Sequence, residues 1–135
     1  MKWLGWAVLL VAVVVVGLAV GLPNTTLAWL RADYAWLGRP LNRIEHLSDA
    51  VGMVHVLMFA VLAGAARLAF SHARTGTLAA AVAAFAVLTE LVQFAVPGRT
   101  PRLTDVAEDL LGAAVGLAAG AAILWLRRRC MRAPR

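Results

Sequence analysis

The sequence predicts an all-α membrane protein: four transmembrane helices in a compact bundle, with an interfacial helix between spans one and two. Of the 135 residues, 62% are hydrophobic and only 15% are charged, and the mean hydropathy is +0.80. Ordinary soluble domains are roughly 45–50% apolar and roughly 25% charged. The apolar residues are concentrated in four stretches, each close to the roughly 20 residues that cross a bilayer as a helix. This pattern excludes a disordered chain, a disulfide scaffold and a separate soluble catalytic domain.

The four apolar stretches form a single predicted transmembrane domain over residues 1–135. The spans are predicted over residues 3–22, 50–66, 77–96 and 105–126. The first carries no charge, the second is interrupted only by His55, and the third contains Glu90 and Gln93. The fourth keeps its acidic residues within its first turn and a half. Barrel strands would be shorter and would alternate in polarity, so helices are the expected spanning form.

The longest connection, residues 23–49, predicts a short helix that lies in the membrane interface. Its aromatic residues are of the kind that favour this depth: Trp29, Tyr34 and Trp36. Four residues fall near one helical face: Leu27, Leu30, Tyr34 and Leu37. The connection between spans three and four is short, and its Pro97-Gly98 pair is expected to end the third helix.

The distribution of basic residues predicts that both termini are cytoplasmic. With four spans, the termini and the loop over residues 67–76 share one side, which holds eight Lys and Arg against five on the other. By the positive-inside rule, the more basic side is cytoplasmic. Residues 127–135 form a basic cytoplasmic tail directly after an apolar stretch, so the net charge of +6 indicates a membrane flank and not a nucleic-acid partner. The single Cys130 makes no internal disulfide, and no Cys/His spacing predicts a metal or cofactor.

Polar residues of three spans are expected to meet near the outer face of the membrane. In a four-span chain, the start of span two, the end of span three and the start of span four lie at one face. The residues there are His55, Glu90, Gln93, Asp105, Glu108 and Asp109. Glu90 precedes the predicted end at Val96 by six residues, which places it about 9 Å below that end. The sequence therefore predicts a polar cluster in the outer leaflet.

The helical register of span four turns its acidic residues into the bundle. Asp105 and Asp109 share a face with a stripe of small residues, which lets helix backbones approach closely: Gly112, Gly116 and Gly120. We expect this stripe to pack spans three and four together. Buried carboxylates repel each other unless one is protonated, binds a cation or meets arginine, and Arg99 and Arg102 are the available arginines. Such a cluster either ties the helices together or forms a functional site, which is the default hypothesis within a membrane.

The stretch from Glu90 to Arg99, followed by Asp105, Gly112 and Gly116, resembles the VanZ-like membrane proteins. The shared pattern is a Glu-x-x-Gln helix end, a Pro-Gly-Arg turn, an Asp that opens the last helix, and small residues after it. His55 matches the family's histidine on the preceding span. Two positions depart from the pattern: the acidic residue before this histidine is Asp49, six positions ahead, and Asp109 replaces the usual Asn.

This resemblance implies a protein of the bacterial cytoplasmic membrane, in a family named for an accessory role in resistance to the glycopeptide teicoplanin. Three hypotheses follow. In the first, the cluster of His55, Glu90, Gln93, Arg99, Asp105 and Asp109 binds the headgroup of a phospholipid or lipid-linked cell-wall precursor. In the second, the protein is a small membrane enzyme that uses Glu90 as general base or metal ligand, with His55 as a proton carrier. In the third, it is a structural partner of another membrane protein.

Overall fold

The computed structural model describes residues 2–46 and 52–132, and within those residues the chain is helical, with no strand. The described helices are α1 (Lys2–Gly21), α2 (Asn24–Asp33), α3 (Ala35–Glu45), α4 (Met53–Ala69), α5 (Thr75–Gln93) and α6 (Leu103–Arg132). The predicted start of span two and Asp49 lie outside the described residues. The prediction of an all-α protein is therefore confirmed for the described chain. The basic residues 127–132 form the last turns of α6.

Side chains from α1, α4, α5 and α6 share one apolar core. Its largest fully buried apolar side chain is Phe59 of α4, and the ring of Phe85 from α5 lies 6.1 Å from it. The surrounding core is built from small and branched residues: Ala12, Val16, Val20, Leu62, Ala63, Leu78, Val82, Ala86, Ala113 and Leu117. Small side chains allow these helices to approach closely, as is usual for helices within membranes.

The connection between α1 and α4 contains two helices, so the prediction of one short interfacial helix is wrong in its count. Tyr34 separates α2 from α3, because its backbone (φ −107°, ψ 82°) leaves the helical region. Gly38 then packs so closely that a Cβ atom there would overlap the carbonyl oxygen of Arg31. Residues before and after Tyr34 consequently do not share one helical face. The axis of α2 is bent by 116° from that of α1.

The glycine stripe of α6 packs against α4, so the expectation that it would join spans three and four is wrong. A Cβ atom at Gly112 would overlap the carbonyl of Val56, and one at Gly116 would overlap the carbonyl of Ala60. At Gly120 it would lie 2.8 Å from the Cβ atom of Arg67, another residue of α4. Backbones of α4 and α6 therefore touch where side chains would otherwise separate them. Helical periodicity identifies such a stripe but does not select the neighbouring helix that receives it.

Replacing Gly116 by leucine is expected to destabilise the protein strongly. The new side chain would have to displace the backbone of α4, and overpacking of this kind costs about 3 kcal/mol. This corresponds to a Tm lower by about 10 °C in detergent. Val115→Leu is the matched control, because Val115 is adjacent and 53% exposed. Equal melting temperatures for the two variants would show that α4 and α6 are not in backbone contact.

Two helices of the described chain are long and apolar enough to cross a membrane, judged by length and composition. They are Thr75–Gln93 and Leu103–Met131. The pair Gly5–Gly21 and Asn24–Asp33 meets the same test when taken together, which gives up to three spans. The apolar helix α4 is shorter, at 17 residues. The helices are thus those of a membrane protein.

Candidate functional site

The C-terminal ends of α1 and α5 and the N-terminal ends of α4 and α6 meet at one end of the packed helices, here called the polar end. Hydrogen bonds at this end join α4 to α6, the α5–α6 loop to α1, and the same loop to α5. Most of the polar residues singled out in the sequence lie here.

His55 and Asp109 form a close polar pair between α4 and α6. The distance from His55 Nδ1 to Asp109 Oδ1 is 3.1 Å. Asp109 is 1% exposed and the His55 side chain 27%. On the adjacent residue of α6, Glu108 Oε1 accepts a 2.8 Å hydrogen bond from the Gly52 N–H, just before α4 begins. The two carboxylates of α6 thus make hydrogen bonds with the His55 side chain and with a backbone N–H at the start of α4, which has no acceptor within the helix.

Glu90 anchors the loop between α5 and α6, which comprises residues 94–102. Its Oε2 accepts a 3.1 Å hydrogen bond from the backbone N–H of Arg102, while its Oε1 is buried without a partner among the described residues. Arginine was one of three alternatives considered for the buried carboxylates, and Arg102 contacts Glu90 through its backbone N–H. The helix also ends at Gln93 and not at Val96. Glu90 accordingly lies about 4.5 Å from the helix end and not about 9 Å.

Arg99 reaches back to the C-terminal end of α1. Its Nη2 donates to the carbonyl oxygen of Ala19 and, at 3.3 Å, to that of Leu22. Pro23 stands four residues after Ala19 and has no N–H, so the carbonyl of Ala19 cannot complete a helical hydrogen bond. The carbonyl end of a helix also carries partial negative charge. These two properties explain why the guanidinium lies against α1.

The proline-glycine turn of the loop is also bound to α2. Asn24 Nδ2 donates a 2.6 Å hydrogen bond to the carbonyl of Gly98. Gly98 has a φ of +78°, a conformation that favours glycine. The loop is consequently held from three helices: by Glu90 of α5, by the end of α1 and by the start of α2.

A recess opens beside Arg99 where α1, α2, α4 and α5 meet. This cavity, here called the recess, has a volume of about 140 Å³, and its polar lining comes from Arg31, His55, Gln93 and Arg99. An adjoining depression of about 370 Å³ is also lined by Arg31 and Arg99, together with Asn24. Burial and the nearby charge of Arg31 both lower the pKa of Arg99 below its ordinary value. Two close positive charges lining one recess favour an anionic ligand.

The remaining predicted site residues, Gln93 and Asp105, differ in their relation to the recess. Gln93 is buried, with 4% exposure, and lines the recess. Asp105 stands in the first turn of α6, where it accepts a 3.2 Å hydrogen bond from the hydroxyl of its neighbour Thr104. In the part of the chain that the structure describes, no group of three His, Cys, Asp or Glu side chains is arranged to hold a metal ion.

Arg31 and Asn24 are residues of this site that sequence reasoning missed. Both lie in the long connection, which was expected to serve as an interfacial helix. Two signals were present in the sequence. Pro23 leaves a carbonyl of the preceding helix free, and Arg31 is a basic residue in a connection predicted to lie on the less basic side.

Comparison with known proteins identifies one family. The family model described as VanZ/LLP1 matches residues 4–126, most of the chain. No curated protein and no solved structure matches the chain.

Proposed function

Because the chain belongs to the VanZ/LLP1 family, we propose that it is a cell-envelope membrane protein that binds the phosphate-bearing headgroup of a membrane lipid. The ligand is a phospholipid or a lipid-linked cell-wall precursor, since both carry phosphate. The observation that carries this proposal is that Arg31 and Arg99 line one recess at the polar end.

The chemistry of the recess suits a phosphate group. The planar guanidinium presents several donors that match phosphate oxygens, and two neighbouring guanidiniums are stabilised when an anion lies between them. Nε of Arg99 is buried without a partner among the described residues, so Arg99 retains donor capacity beyond its contacts to α1. His55 and Gln93 add polar groups to the same lining.

The proposal includes four spans formed by α1, α4, α5 and α6, with both termini cytoplasmic and the recess in the outer leaflet. The 17 residues of α4 are at the lower limit for a span, and the split of eight to five Lys and Arg supports this orientation. The exposed Trp29 and Trp36 suit helices that lie at the interface. Reporter fusions after Arg74 and after Arg132 should both read cytoplasmic, and a periplasmic reading at either position would refute this orientation.

Binding of short-chain phosphatidic acid to the purified protein tests the proposal. By titration followed with NMR, we expect phosphatidic acid to bind about tenfold more tightly than phosphatidylcholine of the same chain length. Arg31→Gln should remove about this preference, since a hydrogen bond to a charged group contributes about 1.5–3 kcal/mol. Arg39→Gln is the control, because Arg39 is an exposed residue of α3. If neither lipid is preferred and the Arg31 variant behaves as wild type, the third hypothesis, a structural partner, gains support.

The His55–Asp109 pair favours a second candidate function, a small membrane enzyme acting on the bound lipid. A buried carboxylate on Nδ1 fixes the orientation and tautomer of the imidazole, which leaves Nε2 to accept a proton. His55 then serves as the base in place of Glu90, whose Oε2 already accepts the Arg102 N–H. Hydrolysis of the phosphate ester of phosphatidic acid by water, which gives diacylglycerol and inorganic phosphate, would establish the enzyme if it is lost in His55→Ala. Binding without release favours the first candidate.

Teicoplanin susceptibility is the cellular measurement that fits the first candidate. A protein that binds a lipid-linked cell-wall precursor in the outer leaflet changes the target that a glycopeptide meets there. We therefore propose that the recess mediates any effect of this protein on teicoplanin susceptibility.

A further inference from the structure

An apolar groove between α1 and α4 adjoins the recess at Met58. The groove has a volume of about 270 Å³ and is lined by Val8, Val11 and Val15 of α1 and by Leu57, Met58 and Val61 of α4. Met58 also lines the recess. One cleft therefore runs between the two helices, with arginine side chains at one end and hydrocarbon side chains along the rest.

The helical register of α1 aligns the lining of the groove with that of the recess. On α1, Val8, Val11, Val15 and Ala19 follow one another at intervals of three or four residues, so they form one stripe. Ala19 lies at the recess, where Arg99 binds its carbonyl. The stripe extends about 16 Å from Val8 to Ala19. A ligand with a charged group in the recess would thus have an apolar surface of α1 next to that group.

We propose that the hydrocarbon chain of the bound lipid lies in the groove between α1 and α4 while its phosphate lies in the recess. This inference rests on the proposed function and adds the orientation of the bound anionic lipid and its lateral entry from the membrane. The groove opens outward, since Val11 is 61% exposed and Val61 is 54% exposed. A soluble phosphate compound or a peptide would leave this apolar half of the cleft without a matching group.

The groove determines where the hydrocarbon chain of the lipid lies more than it strengthens binding of the lipid. Lipid tails outside the groove are as apolar as its valines, so transfer of a chain into it yields little hydrophobic free energy. The charged recess supplies the affinity, and the groove determines where the chain lies. A decisive experiment must therefore locate the chain and not only measure affinity.

Photocrosslinking in nanodiscs locates the acyl chain of the bound lipid. One sample contains phosphatidic acid with a diazirine in one acyl chain, and the other contains phosphatidylcholine with the same chain. Crosslinked positions are identified by peptide mass spectrometry. We expect phosphatidic acid to label the lining residues of α1 and α4 about tenfold more than phosphatidylcholine does, in line with its preferred binding at the recess.

Two matched variants test the groove itself. Val61→Trp fills the groove and should remove the excess labelling of the groove by phosphatidic acid over phosphatidylcholine. Val115→Trp should retain this excess. Val115 is an equally exposed valine on α6, with 53% exposure against 54%, and it lies outside the groove.

The outcomes separate this inference from the proposed function. Label spread evenly over exposed residues of α5 and α6 in the wild type, with preferred binding of short-chain phosphatidic acid intact, would overturn the groove assignment alone. Identical labelling and identical binding of both lipids would overturn the proposed headgroup site. The wild-type label map gives this answer even if a tryptophan variant does not fold.

Discussion

Arg99→Lys is expected to reduce the affinity for short-chain phosphatidic acid about a hundredfold, because it removes about two charged hydrogen bonds worth about 3 kcal/mol together. Lysine keeps the positive charge but has a single ammonium group. Arg99 donates through Nη2 to the carbonyls of Ala19 and Leu22 and also lines the recess. One ammonium cannot hold the end of α1 and the phosphate with the same geometry. NMR titration of the two proteins measures the difference.

The matched control for this substitution is Arg102→Lys. Arg102 lies in the same loop, its side chain is exposed, and its contact to Glu90 uses the backbone N–H. We expect this variant to bind phosphatidic acid as the wild type does. Similar losses in both variants would show that the loop contributes only general positive charge. Full binding by Arg99→Lys would show that planar recognition by the guanidinium is not used.

Glu90→Leu is expected to weaken binding of the same lipid about tenfold, although Glu90 lies outside the lining of the recess. The substitution removes the acceptor of the Arg102 N–H, a loss of about 1–3 kcal/mol. The α5–α6 loop would then lose one of its three attachments, and Arg99 would lose its defined position. Glu90 thus acts as a positioning residue. The affinity for phosphatidic acid and the Tm together measure this effect.

Glu90→Gln separates this positioning role from an acid–base role. Glutamine retains an oxygen that accepts the Arg102 N–H and removes a buried charge. We therefore expect nearly unchanged affinity and equal or higher Tm, since Oε1 is buried without a partner among the described residues. A folded Glu90→Gln protein that has lost its function would show instead that the proton or charge of Glu90 is required. That result would favour the enzyme with Glu90 as its base.

Features that depend on chain connectivity could be predicted from the sequence. The order of the apolar stretches places the starts of α4 and α6 at the same end, so the proximity of His55 and Asp109 follows from topology. The Pro97-Gly98 turn was also predictable, because proline and glycine have particular backbone requirements. The end of α5 was predicted three residues too late, since Phe94 and the following residues are apolar and carry no stop signal.

Features that depend on which helices pack against each other could not be predicted from connectivity. The stripe of Gly112, Gly116 and Gly120 predicts a close helix contact, yet any adjacent helix offers a similar apolar surface. Packing of all four helices selected α4. The long connection likewise predicted one interfacial helix, and only the folded chain revealed the break at Tyr34.

The sequence by itself determined that this is an all-helical membrane protein of the VanZ-like family with polar residues gathered at one end. Composition, span length and local motifs carry that information, since each is set by nearby residues. The tertiary structure alone decided that Arg99 binds α1, 80 residues earlier in the chain, and that Arg31 lines the same recess. The physical reason is that a carbonyl left free by Pro23 attracts whichever donor the fold brings within reach. Local sequence shows that such a carbonyl exists, but only the packing of the helices supplies its partner.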